Sequence, residues 1–69
     1  MKFKQYEAIV FDPKYDQYRE SYPLGRKEVV YFLGNIPNVT GHCLVVKYSG
    51  EVIAMVHPED FRKATEEEL

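Results

Sequence analysis

The chain of 69 residues contains one cysteine and no tryptophan, and both scarcities restrict what it can be. A single thiol excludes an internal disulfide, the usual staple of small secreted domains. No apolar run is long enough to cross a bilayer, and the first residues carry no apolar core of a secretion signal, so the sequence predicts a cytoplasmic protein with no membrane partner. Positive charge is not in excess: the net charge is −2 with both histidines neutral. That argues against a broad nucleic-acid surface, and it is too small for a mimic of DNA. No glycine-rich phosphate loop is present. Asn38-Val39-Thr40 matches the glycosylation sequon, which carries no weight without a secretion signal.

What the chain does have is an apolar and aromatic load suited to one small domain spanning 1–69. Hydrophobic residues make up 45% and charged residues 29%, a globular balance, and six of the ten aromatics are tyrosine. A domain of this size has a core worth only a few kcal/mol.

The most legible stretch is His42 to Phe61. Residues 42–48 and 51–57 are dense in Val, Leu and Ile, and Ser49-Gly50 between them can form a two-residue hairpin turn. Counting outward from that turn pairs Tyr48 with Glu51, Val46 with Ile53, Leu44 with Met55 and His42 with His57. Leu44, Val46, Ile53 and Met55 then share one face, and Cys43, Val45, Val52, Ala54 and Val56 the other. Both faces are apolar, so both call for cover. Lys47 marks the second face as outer, which predicts the Leu44 face as the core.

Pro58 ends the ladder and suits the first position of a helical turn, with Glu59 and Asp60 adjacent on an exposed turn behind it. Upstream, residues 3–11 predict a strand whose second half is buried on both sides. Residues 12–26 admit two readings. One is a short helix over 12–22, capped by Asp12, with Tyr15, Tyr18 and Tyr22 on one side; the other is a long irregular loop. Residues 27–33 predict another strand, 34–41 a turn-rich connection, and 64–69 a frayed acidic tail, although Thr65 and Glu68 have capping-box spacing. The sum is all-β: about five short antiparallel strands curled into a small barrel.

This order of landmarks resembles the Src-homology-3 (SH3) family. That family opens with an Ala-Leu-Tyr-Asp-Tyr strand and a long loop, matched here by Ala8-Ile9-Val10-Phe11-Asp12 and residues 13–26. It closes with Pro-Ser-Asn-Tyr-Val, matched by Pro58-Glu59-Asp60-Phe61-Arg62. KOW-type modules share the outline. The resemblance implies an SH3-like barrel that binds extended, often proline-rich peptides on an aromatic groove. Carried over, that groove uses Phe11, Pro58 and Phe61, with Tyr15 or Tyr18 from the long loop; Tyr22 extends the tyrosine stripe. The family's tandem tryptophans would fall near His42-Cys43, where this chain has none, so fold carries over more securely than ligand.

Chemistry is sparse. His42 and His57 face each other, but two imidazoles are an incomplete metal site and Cys43 points the other way, so no metal or cofactor is predicted. Cys43 lies mid-strand without a base, which predicts a buried structural thiol rather than a nucleophile. The sequence therefore predicts no enzyme, but a module that docks on another protein as an adaptor, subunit or inhibitor. The alternative is a nucleic-acid or ribonucleoprotein binder using Lys2, Lys4, Arg19, Arg26, Lys27, Lys47, Arg62 and Lys63. A third possibility is a homodimer through the second face of the hairpin.

Overall fold

The computed structural model describes residues 3–14 and 22–69. Five strands make one antiparallel sheet: β1 Ala8–Phe11, β2 Val29–Asn35, β3 Cys43–Lys47, β4 Val52–Val56 and β5 Phe61–Lys63. Their spatial order is β4-β3-β2-β1-β5. Pro58–Asp60 and Glu66–Glu68 are single 3-10 turns, and no helix among the described residues is long and apolar enough to cross a membrane. The helix considered for 12–22, with Tyr15 and Tyr18, falls largely outside the described residues.

One apolar cluster holds the sheet. Ile9, Phe11, Val30, Phe32, Cys43, Val45, Ile53, Val56 and Phe61 all belong to it, joined by Phe3 and Leu24 from the flanking segments. Residues from every strand, including both edges, meet in this cluster, which a flat sheet could not achieve. The sheet is curled. Ile9, Val10 and Phe11 are all fully buried, so β1 is covered on both faces as its continuous apolar run predicts.

On β3 the core face is the opposite of the one predicted; on β4 Ile53 is buried and Val52 and Ala54 are exposed as predicted, but Met55 and Val56 exchange places. Cys43 and Val45 are fully buried, whereas Leu44 and Val46 are half-buried and Met55 is 49% exposed. The turn explains half of this. The Lys47 N–H donates to the Glu51 carbonyl and the Gly50 N–H to the Lys47 carbonyl, each at 2.8 Å, so the loop is Tyr48-Ser49-Gly50 rather than Ser49-Gly50. Gly50 sits at φ 97°, the position where such loops call for glycine. The extra loop residue moves the register by one, placing Val46 opposite Val52 and Val45 opposite Ile53. A bulge in β4 explains the rest. Ala54 and Met55 together oppose Leu44, with Met55 left-handed at φ 63°. The bulge lets Ile53 and Val56 face the same side, and it restores the original count. Cys43 lies opposite Val56, and the expected pairing of His42 with His57 is present.

Lys47 misled because a lysine can lie along an apolar edge with its charge outside. Its ammonium reaches Glu28 at 3.5 Å and the Pro23 carbonyl at 3.3 Å. Two further expectations change. The first strand begins at Ala8, because Lys4 to Glu7 forms a turn with Tyr6 at φ 67°; Phe3 is still buried, against Phe32. The acidic tail is ordered. The Thr65–Glu68 capping box forms, and Glu68 accepts two hydrogen bonds from Arg62, each 2.8 Å.

Candidate functional site

The loop before β3 and the turn after β4 come together at one end of the sheet. Asn38 at φ 65° and Gly41 at φ 80° reverse the chain, with the Val39 N–H donating to the Ile36 carbonyl at 3.2 Å. On the other side Pro58 opens the 3-10 turn, closed by the Asp60 N–H donating to the His57 carbonyl at 3.0 Å. Between them lies a trough of about 400 Å³ lined by Asn35, Ile36, Asn38, Val39, Thr40, Gly41, His42 and Pro58. Its walls offer amides, a hydroxyl and an imidazole beside aliphatic surface, with no Asp, Glu, Lys or Arg among the described residues that line it.

At the rim the rings of His42 and His57 stand 4.3 Å apart, inclined at 45°. Beneath His57 a part-buried polar chain ties the segment at Tyr22 to the 57–60 turn. The His57 N–H donates to the Tyr22 hydroxyl at 3.1 Å, and that hydroxyl donates to the Asp60 carboxylate at 3.2 Å. Burial pushes the Tyr22 hydroxyl up to about 12 and raises the Asp60 carboxyl from its ordinary range. The Cys43 thiol is likewise pushed up to about 11 by burial, so it stays protonated and is the structural thiol expected from its strand.

Of the aromatic residues predicted for the groove, Phe11, Tyr22 and Phe61 pack together in or against the core instead of forming an open surface. Phe11 and Phe61 lie in the core at 0% and 2% exposure, their rings 5.3 Å apart, and offer no surface to a partner. Tyr22 packs edge-on against Phe11 at 5.4 Å and is half-buried. Pro58 lines the trough; Tyr15 and Tyr18 are outside the described residues. Glu59 and Asp60, expected together on an exposed turn, separate: Asp60 turns inward to Tyr22 at 4% exposure, while Glu59 stays in water. The trough-lining residues Ile36 and Val39 were missed. Their signal was present, since two aliphatic residues inside a glycine- and asparagine-rich turn have no strand to bury them.

No group of three or more His, Cys, Asp or Glu that could hold a metal ion occurs among the described residues. Comparison of the chain with protein-family models, with curated proteins and with solved structures finds no match in any of the three.

Proposed function

We propose that this chain is a non-catalytic protein-interaction module, an adaptor, subunit or inhibitor of a larger cytoplasmic assembly. It takes an extended segment of its partner in the trough between residues 35–42 and Pro58. The trough itself carries the reading: a concavity whose described lining holds no charged side chain, with amides to bond a peptide backbone and Ile36, Val39 and Pro58 to receive apolar side chains. The SH3 resemblance supports it, since the proline turn that family uses for its ligand here forms one wall. Nucleic acid is the weaker alternative because four of the described cations sit at carboxylates: Arg26 and Arg62 at Asp12, Lys47 at Glu28, Lys63 at Glu7. Self-association through the outer face is a second reading, favoured by Val52 at 54% and Met55 at 49% exposure.

Capture from the native host with three baits separates these. Wild type is compared with Val39→Asp in the trough and Val52→Lys on the outer face. Val39→Asp loses a specific partner that Val52→Lys retains. Capture that survives Val39→Asp refutes the trough. Loss with Val52→Lys alone selects the outer face, and loss after ribonuclease treatment selects the nucleic-acid reading.

A further inference from the structure

We infer that His42 and His57 form a two-imidazole site for one divalent transition-metal ion of the Cu²⁺ or Ni²⁺ type. The inference does not depend on the docking function. The two residues flank different strands, His42 just before β3 and His57 just after β4, and meet only because the bulge in β4 resets the register, giving ring centres 4.3 Å apart. The His42 ring has its Nδ1 side engaged. His42 Nδ1 is 3.2 Å from the Thr40 carbonyl, and a carbonyl only accepts, so the hydrogen is on Nδ1 and the Nε2 lone pair is left for a ligand role. His57 Nδ1 lies 4.0 Å from the Glu59 carboxylate, beyond hydrogen-bond reach, so its ring is free to present either nitrogen. A carbonyl behind the imidazole is the outer-shell pattern that fixes the tautomer of metal-binding histidines.

Among the described residues the neighbouring groups limit the donor set to those two nitrogens. Cys43 lies in the core cluster and Asp60 is engaged by Tyr22, so water or an added ligand must fill the remaining positions. Two imidazoles with water in the remaining positions suit Cu²⁺ or Ni²⁺, which take nitrogen and oxygen donors in a tetragonal set and bind such donors more tightly than the other divalent first-row ions. His57 is 42% exposed along its side chain, so an ion can reach it from solvent.

The test is a titration of ¹⁵N-labelled protein with Cu²⁺ above neutral pH, reading paramagnetic broadening residue by residue, with calorimetry for stoichiometry. One equivalent broadens amides around residues 40–43 and 56–59, Zn²⁺ binds more weakly, and the effect weakens on acidification because protons compete for the imidazole nitrogens. His42→Gln and His57→Gln each weaken binding more than ~10-fold. Broadening centred elsewhere, at the amino terminus for example, overturns the site, and so does unchanged affinity in either folded variant. The wild-type broadening map decides the matter even where a variant fails to fold.

Discussion

Asp60 and Glu68 are carboxylates whose surroundings act on them in opposite directions. Burial raises Asp60 despite the hydrogen bond from Tyr22, so the folded state holds its proton more tightly than the unfolded chain does. Stability associated with Asp60 therefore falls as pH rises out of the ordinary aspartate range through its raised folded value. Asp60→Asn keeps an acceptor for the Tyr22 hydroxyl and removes the buried charge. Its urea midpoint should exceed wild type at neutral pH, with the gap closing as pH falls towards ~3.9; a gap that widens on acidification contradicts this. Glu68 has the other sign. Hydrogen bonds from Arg62 lower it to about 2, so its contribution is present above the ordinary glutamate range and is lost as pH falls towards that value. Cys43 could be read as a buried thiol from its strand alone, but the inward turn of Asp60 could not, because a single helical turn has no periodicity to assign its faces.

The hairpin β3–β4 shows how local geometry redirects a correct pattern. Its two strands, their apolar character and the histidine pair follow from composition and counting. The core face does not, because one loop residue and one bulge residue each flip the alternation, and their effects cancel only at the histidine end. Tyr48-Ser49-Gly50 and Ser49-Gly50 are both good hairpin turns by residue type, and nothing about Met55 marks a bulge. Its φ of 63° is unfavourable for a residue with a Cβ, at a cost of about 1–2 kcal/mol. Met55→Gly should therefore raise stability, by up to about 1 kcal/mol after the entropy cost of glycine. Met55→Val should lower it, since a branched side chain suits a left-handed position worst. Thermal unfolding of the pair checks this, and a stabilising Met55→Val would show the bulge is misplaced.

On the scale of the whole molecule, one small core supports both the fold and the site. The Phe11 and Phe61 rings pack together there with Tyr22 at their edge, so Phe61→Ala should cost about 3–5 kcal/mol and leave the domain largely unfolded at room temperature, as its circular dichroism would report. Loss of binding in that variant would therefore be a loss of structure. The all-β class and the curl were legible, because short sequential strands with apolar faces have few other ways to bury them. The trough was only partly legible, since a concavity made by two separated segments has no signature in either one; of its lining, the sequence reading singles out Pro58 and passes over Ile36 and Val39. The direct measurement is ¹³C-methyl NMR of the protein with its captured partner added. The methyl signals of Ile36 and Val39 should shift while those of Val46 and Val52 stay in place. Shifts confined to Val46 and Val52 would put the partner on the outer sheet face and contradict the account.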